Sequence, residues 1–203
     1  MIRSIIFDRG GVLLHKTAES IDEQIIERVR EQFSRVFKRA KETHKVDLLK
    51  GKISVEKLCG TIQEEFKNHF NLIKEWKGAY IETMSMNKEV FQLAKRLKKR
   101  YKIALISNVP DLHVKIERRK TSYKRVYACF NPILLSCEVG LMKPEVQIFR
   151  QALYSLRSKA EECIFIDDRK EHLITPKRLG FRTVQFKTVS QLIAALKAKG
   201  VKL

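Results

Sequence analysis

Glycine and proline are scarce in this chain of 203 residues, which contains 8 and 4 of them. Disordered and low-complexity segments are rich in these residues, so the composition argues against long segments of either kind. Long apolar runs are also lacking, and none approaches the roughly 20 residues that a membrane helix needs. The apolar start of the chain meets a charge at Asp8, too soon for a signal peptide. We therefore expect a soluble, cytoplasmic protein.

Cysteine is sparse, and its spacing argues against two kinds of site. The chain has cysteines at positions 59, 129, 137 and 163, and no two of them form a C-x-x-C pair. A zinc ribbon or a dithiol redox motif would need such a pair. We expect reduced thiols, with Cys163 in the apolar core.

Acidic residues are outnumbered, giving a formal net charge of +19. The densest cationic stretch runs from Lys95 to Arg125. Such a surface attracts anionic substrates or nucleic acid. Because no nucleic-acid-binding motif accompanies the charge, we favour a solvated lysine-rich surface over dedicated nucleic-acid binding.

The periodicity of apolar residues changes along the chain. After a short apolar strand at 2–7, helical spacing dominates to about residue 85, with helices predicted at 17–40, from Ser54 onward and at 72–83. Strands and helices then alternate. The strands are predicted at 102–107, 132–137, 163–167 and 182–186, and the helices at 88–100, 111–126, 145–156, 171–179 and 189–199.

This order predicts an α/β protein with a Rossmann-like parallel sheet, helices on both faces, and an all-helical cap inserted after the first strand. The predicted core comprises residues 1–14 and 86–203, and the predicted cap comprises residues 15–85.

Polar side chains follow several of the predicted strands where each strand ends. Asp8 ends the first strand, Ser107 and Asn108 end the second, and Asp167 and Asp168 end the strand at 163–167. Ligands of open parallel sheets bind beyond the carboxyl ends of the strands. Each residue alone has an ordinary explanation as a cap or turn. Their joint placement predicts a functional site, which Lys143 could reach from the loop before a helix.

The residue types at this rim suit phosphoryl transfer. Carboxylate oxygens suit Mg²⁺, which shares its shell with phosphate and water. An aspartate can attack phosphorus, while a lysine and hydroxyl or amide donors stabilise charge on the transferring oxygens.

The ordered motifs Asp8-Arg-Gly-Gly-Val-Leu, Ile-Ser107-Asn108, Gly-Leu-Met-Lys143-Pro-Glu and Phe-Ile-Asp167-Asp168 resemble those of the haloacid-dehalogenase-like superfamily. The helical insertion resembles its cap, and the chain looks closest to the branch with the phosphatase domain of soluble epoxide hydrolases and small sugar-phosphate phosphatases. The resemblance implies a phosphatase that acts on a small phosphorylated metabolite.

The resemblance also implies a role for each motif residue. Asp8 would be the nucleophile, and Lys143 would neutralise it and the developing charge. Ser107, Asn108 and Lys143 would bind the phosphoryl group. The implied Mg²⁺ ligands are Asp8, the Gly10 carbonyl, Asp167 and Asp168, although Asp167 would alternatively position Lys143.

One departure concerns the general acid. Phosphatases of this family usually carry a second aspartate two residues after the nucleophile, and this chain has Gly10 there. General acid catalysis contributes around 10²–10⁴-fold. The departure predicts a preference for good leaving groups, such as those of anomeric, acyl or aryl phosphates, unless His15 or His172 supplies the proton.

Two other functions stay open at this stage. One is a metal-independent 2-haloacid dehalogenase, although the acid pair Asp167-Asp168 favours a metal phosphatase. The other is a catalytically impaired family member that binds nucleic acid or protein. The sequence leaves open a monomer or a homodimer, and whether Glu42, His44, Trp76 and Tyr80 line the cap opening or lie elsewhere.

Overall fold

The computed structural model describes residues 1–15, 31–66 and 71–203. Within these residues, five parallel strands form one sheet in the order β3-β2-β1-β4-β5. The strands are β1 (Ser4–Phe7), β2 (Lys102–Ser107), β3 (Ile133–Leu135), β4 (Cys163–Asp167) and β5 (Arg182–Gln185). Every residue of β1 and β4 is buried, as is typical of parallel strands with helices on both faces. The predicted α/β fold is confirmed.

Helices fill the described chain between β1 and β2. They are α1 (Glu31–Thr43), α2 (Lys45–Leu49), α3 (Val55–Phe66), α4 (Leu72–Thr83) and α5 (Lys88–Leu97). The Ser54 hydroxyl accepts a hydrogen bond from the Lys57 amide at 3.1 Å, so it caps α3 as the sequence predicts. Much of the predicted helix at 17–40 lies outside the described residues, and its remainder belongs to α1. The division into core and cap at residues 15 and 85 stays a prediction.

The helices after β2 alternate with the remaining strands. They are α6 (Asp111–Arg119), α7 (Thr121–Tyr127), α8 (Ser136–Val139), α9 (Val146–Leu156), α10 (Lys170–Arg178) and α11 (Val189–Ala198), with a 3₁₀ turn at Ala160–Glu162. Gly180 follows α10 with φ 95°, the left-handed conformation expected of a glycine after a helix.

Two predicted boundaries are wrong. The helix predicted at 111–126 is broken at Lys120, which is extended at φ −92° and ψ 124°. The break lets the Tyr127 hydroxyl donate to the Glu117 carboxylate, whereas ten residues of continuous helix would separate their backbones by about 15 Å. The strand predicted at 132–137 ends at Leu135, because Ser136 opens α8 and its hydroxyl accepts from the Val109 amide at 2.9 Å.

Apolar residues of α1–α4 pack against the first turns of α6 and against Leu14. This cluster includes Phe37, Trp76 and Tyr80 from the helical insertion, with Leu112 and Ile116 from α6. Two further clusters cover the two faces of the sheet. The insertion is therefore packed directly over the carboxyl end of the sheet. Among the described residues, no helix is both long and apolar enough to cross a bilayer.

Candidate active site

A buried lysine joins two of the strand-end carboxylates. The Lys143 ammonium lies 2.6 Å from Asp8 Oδ1 and 2.6 Å from Asp167 Oδ2. Lys143 is 1% exposed, Asp8 6% and Asp167 0%. Asp8 follows β1 and Asp167 ends β4, and these strands are paired in parallel. Parallel pairing therefore brings both acids to one rim, and the loop after α8 delivers the lysine between them.

The pKa values of this triad follow from burial and mutual charge. Burial raises the pKa of Asp8 to about 6, against the opposing effect of Lys143. Burial acts in the same direction on Asp167, but Lys143 and His172 outweigh it and lower the pKa of that carboxyl. Burial would lower the pKa of Lys143, yet the two carboxylates hold it above its usual value. Lys143 is therefore a fixed cation at neutral pH.

A tight turn after Asp8 shapes the floor of the site. The Asp8 amide donates to the Ile166 carbonyl at 2.8 Å, and the Gly11 amide donates to the Leu14 carbonyl at 2.8 Å. Gly11 has φ 79°, and a Cβ there would come within 2.5 Å of Asp168 Cγ. Gly11 therefore meets two needs: the left-handed backbone and the close approach of the Asp168 carboxylate.

Three carboxylates could hold a metal ion. Asp8, Asp167 and Asp168 each offer an oxygen, and these oxygens all lie within 4.8 Å of one another. Asp167 is already engaged, because it accepts from Lys143, from the Arg169 amide at 2.9 Å and lies 3.2 Å from His172 Nδ1. The donor set is one of hard oxygens, which fits Mg²⁺. The assignment of Asp8, Gly10, Asp167 and Asp168 as Mg²⁺ ligands stays a prediction, and the contact of Asp167 with Lys143 is the one that its alternative role requires.

The second motif lies beside this cluster. Ser107 is buried at the end of β2, next to β1. The Asn108 side chain donates to the Lys143 carbonyl at 2.8 Å and accepts from the Lys143 amide at 2.8 Å. Asn108 thus fixes the backbone that carries the buried lysine. Its role as a phosphoryl ligand stays a prediction.

The two histidines considered as replacements for the missing general acid, His15 and His172, lie in different surroundings. His172 on α10 is buried with Nδ1 against the Asp167 carboxylate, whereas His15 is exposed. A Cβ on Gly10 would meet nothing within 4 Å. Space for a side chain therefore exists at the position where the family's second aspartate would stand.

A second buried ion pair involves Arg9, the residue after Asp8, and sequence reasoning missed it. Arg9 Nε donates to Glu117 Oε2 at 3.0 Å, and a second guanidinium nitrogen also contacts this carboxylate. Glu117 further accepts from the hydroxyls of Tyr80 and Tyr127. Burial acts to raise the pKa of Glu117, but Arg9 and these donors lower it. These hydrogen bonds connect the turn after Asp8 to α6 and to the helical insertion.

Aromatic contacts extend this network into the insertion. The His113 ring of α6 stacks on Tyr80 with centroids 3.8 Å apart, and Trp76 Nε1 donates to His113 Nε2 at 3.1 Å. Trp76 and Tyr80 are 2% and 0% exposed, so they are interior residues of the described structure. Two signals in the sequence pointed here: a charge directly after Asp8, and an acid, Glu117, among the cations of a helix.

A family model described as haloacid dehalogenase-like hydrolase matches residues 2–180. Among curated proteins, bifunctional epoxide hydrolase 2 of Rattus norvegicus is 27% identical over 143 residues, covering 69% of this chain and 25% of the relative. Glyceraldehyde 3-phosphate phosphatase of Methanocaldococcus jannaschii is 36% identical over 61 residues, covering 30% of this chain and 27% of the relative. The chain thus spans about a quarter of the length of these curated relatives.

Solved structures share the fold. A HAD family enzyme from Bacteroides thetaiotaomicron, in complex with magnesium and inorganic phosphate, is 23% identical with a TM-score of 0.78, covering 95% of this chain and 99% of that one. A 2-haloacid dehalogenase from Pseudomonas syringae is 15% identical with a TM-score of 0.67, covering 98% of this chain and 99% of that one. At these identities the likeness extends to the fold alone.

We expect the buried His113 to make stability fall in acid. Burial, with Arg9 and Lys41 nearby, holds the pKa of His113 well below its ordinary 6.5. The unfolded chain then binds a proton below about pH 6.5 that the folded chain does not bind, so stability declines as pH falls. The free energy of unfolding is measured by urea titration from pH 8 to pH 5. Below about pH 6.5 it should fall relative to His113→Gln with a slope that approaches about 1.4 kcal/mol per pH unit.

The His113→Gln variant keeps a hydrogen-bond acceptor for Trp76, and its amide side chain does not titrate. Parallel pH profiles of the two proteins would show that His113 is not the titrating group. His15→Gln is the matched control, since that histidine is exposed and its replacement should leave the profile unchanged.

Proposed function

We propose that this chain, which belongs to the haloacid dehalogenase-like hydrolase family, is a Mg²⁺-dependent phosphatase of a small phosphorylated metabolite. The observation that carries the proposal is the convergence of Asp8, Asp167 and Asp168 around the buried Lys143. A nucleophile, a fixed cation and oxygen donors for a metal then lie together at one rim of the sheet.

The charge balance of the rim supports a divalent cation. The Lys143 ammonium is shared by two carboxylates, and Asp168 brings a third carboxylate oxygen within 4.8 Å of theirs. A phosphate monoester is itself anionic, and nearby carboxylates would repel it. Bound Mg²⁺ would supply positive charge there and would draw electrons from the phosphoryl oxygens. Asp8 and Asp168 are the side chains that would hold it, with the Gly10 carbonyl as a further oxygen.

The chain's own residues then carry the reaction. One carboxylate oxygen of Asp8 bonds to phosphorus as the ester P–O bond breaks, and the leaving oxygen takes a proton from water, which leaves hydroxide. A second water then attacks phosphorus, the Asp8–phosphorus bond breaks, and inorganic phosphate and the free carboxylate are released. The proton that this water loses neutralises the hydroxide. Lys143 offsets charge on the phosphoryl group throughout, with Ser107 and Asn108 as neighbouring donors. Asp167 keeps the ammonium in place.

The comparisons support this reaction class. Glyceraldehyde 3-phosphate phosphatase is named for a small phosphorylated substrate, and the Bacteroides enzyme was solved with magnesium and inorganic phosphate. The acid pair Asp167-Asp168 beside Asp8 offers the oxygens that a metal ion needs, which favours the phosphatase over the metal-independent dehalogenase.

The decisive experiment compares wild-type protein with Asp8→Asn on an aryl phosphate. We expect wild-type turnover that requires Mg²⁺ and is removed by EDTA, and a loss of at least about 10³-fold in the variant because the nucleophile is gone. Glu161→Gln, an exposed acid at the opposite end of the sheet, is the matched control and should retain full turnover.

Two results would contradict the proposal. Equal turnover by Asp8→Asn would exclude Asp8 as the nucleophile. Chloride release from 2-haloacids without Mg²⁺, together with no phosphatase turnover, would establish the dehalogenase instead. Thermal unfolding of each variant shows whether a loss of turnover reflects a loss of fold.

Gly11 gives a separate test of Asp168 as a metal ligand. In Gly11→Ala the new Cβ would come within 2.5 Å of Asp168 Cγ, so the carboxylate must move away. We expect the Mg²⁺ concentration for half-maximal turnover to rise at least about tenfold, the loss typical of a disturbed ligand shell. In the control, Gly10→Ala, the added Cβ meets nothing within 4 Å, and the Mg²⁺ dependence should not change. Equal behaviour of the two variants would exclude this role of Asp168.

Gly10 gives a test of the missing general acid. Gly10→Asp places a carboxyl in open space beside the nucleophile, where it can protonate a poor leaving group. Turnover of alkyl phosphates should rise about tenfold or more, while aryl phosphates, which leave without a proton, should change little. Gly10→Asn is the control of equal size, and a similar gain in that variant would show that proton transfer is not the cause.

A further inference from the structure

The edge of the sheet opposite the candidate active site is strongly cationic. In a parallel sheet all strands begin at the same edge, and here Ser4 pairs with Lys102 and with Cys163 in register. Arg3 precedes β1, Lys102 opens β2, Lys159 precedes β4 and Arg182 opens β5. These four cations are exposed.

The helices that return to this edge add further cations in their last turns or just beyond. These are Lys98, Lys99 and Arg100 after α5, Arg157 after α9, Lys177 and Arg178 in α10, and Lys197, Lys199 and Lys202 in or after α11. All are exposed except Lys199, which is half-buried. The acidic residues Glu161 and Glu162 lie at the same edge, and Glu162 pairs with Arg3 at 3.5 Å. We call this cationic surface the basic edge.

Contacts join these segments into one surface. The Lys102 ammonium donates to the Leu156 carbonyl at 2.6 Å, beside Arg157. Arg182 donates to the Lys199 carbonyl at 3.3 Å, and the Lys202 amide donates to the Tyr101 hydroxyl at 2.8 Å, beside Arg100. The C-terminal ends of the helices α5, α9 and α11 are thus neighbours along this edge of the sheet.

An open groove with an exposed aromatic ring lies on this surface. Its volume is about 700 Å³, and its lining includes the cations Arg3, Arg157 and Lys159, the ring of Tyr154 and one acid, Glu162. Tyr154 is 86% exposed, so its ring is open to a ligand. Cations along a groove with an exposed ring are the combination that binds single strands, through phosphate contacts and base stacking.

The backbone at Arg157 supports a role for its charge. Arg157 has φ 48°, the left-handed region that glycine adopts without strain after a helix. An arginine there carries a steric penalty that a glycine would avoid. This residue lines the groove, so a cation stands there in place of the glycine that the backbone favours.

We propose that the basic edge binds single-stranded nucleic acid, with Tyr154 as a stacking platform and the surrounding lysines and arginines on the phosphates. This activity is separate from phosphate ester hydrolysis. Each β-strand rises about 3.3 Å per residue from its start to its carboxyl end, so the basic edge and Asp8 lie at opposite edges of the sheet. A bound strand therefore leaves the hydrolytic site open.

The test is fluorescence anisotropy with a labelled single-stranded RNA 20-mer at several salt concentrations. In the edge variant, Lys99, Arg100, Lys159 and Lys202 are all changed to Gln. The control variant changes Lys38, Lys57, Lys74 and Lys88, exposed lysines elsewhere, to Gln and so has the same net charge. Each lost phosphate contact lowers the slope of log affinity against log salt by about 0.7.

We expect the edge variant to lose a slope of about 2 to 3 and at least tenfold in affinity, with the control variant close to wild type. Equal losses in the two variants would show that binding depends only on the net charge of the protein, and this would overturn the proposal. Turnover of an aryl phosphate should be unchanged in both, which separates this result from the proposed hydrolysis.

Two single substitutions examine the groove. Tyr154→Ala should weaken binding at least about fivefold while Tyr154→Phe, which keeps the ring, binds like wild type. Arg157→Gly should weaken binding and raise the midpoint of thermal unfolding, because it removes both the cation and the strain. Tight binding to phosphatidylserine vesicles with none to RNA, or equal binding of a blunt duplex that offers no free bases, would overturn the assignment to single strands.

Discussion

The buried ammonium of Lys143 is the interaction on which the rim of this sheet depends. It lies between Asp8 and Asp167 at 2.6 Å from each, and its side chain is 1% exposed. Removing one member of a buried ion pair leaves an uncompensated charge, which costs about 3–5 kcal/mol. The two carboxylates can therefore sit on adjacent strands only because the loop after α8 brings the lysine, and Asn108 holds that loop through its backbone.

A second ion pair connects the residues beside this cluster to the helical insertion. Arg9 is the residue after Asp8, and its guanidinium is bound by Glu117 of α6 and by Tyr80 of α4. The turn after Asp8 is thereby fixed from two elements far apart in sequence. Because the insertion supplies Tyr80 and Trp76 to this network, its packing and the geometry of Asp8 are coupled through direct contacts.

The sequence predicted the fold and the rim because both follow from local patterns. Apolar runs marked the strands, and strand ends in a parallel sheet converge, so Asp8, Ser107 and Asp167 could be placed together. The pairing of Arg9 with Glu117 could not be predicted, since periodicity shows which face is buried and not which residue of another segment meets it. The break at Lys120 was missed for the same reason: it serves the contact between Tyr127 and Glu117, which local propensity does not encode.

The charges at the two edges of the sheet differ in origin. The acidic residues at the carboxyl edge, Asp8, Asp167 and Asp168, belong to the candidate active site. Cations in the last turns of α5 and α10 are favoured by the partial negative charge at a helix C-terminus, so folding accounts for them. Lys102 and Arg182 donate to carbonyls at the ends of α9 and α11, and Arg3 pairs with Glu162, so contacts within the fold account for part of this charge. The exposed cations of the basic edge still outnumber its acids, and an anionic ligand on that edge would offset their mutual repulsion.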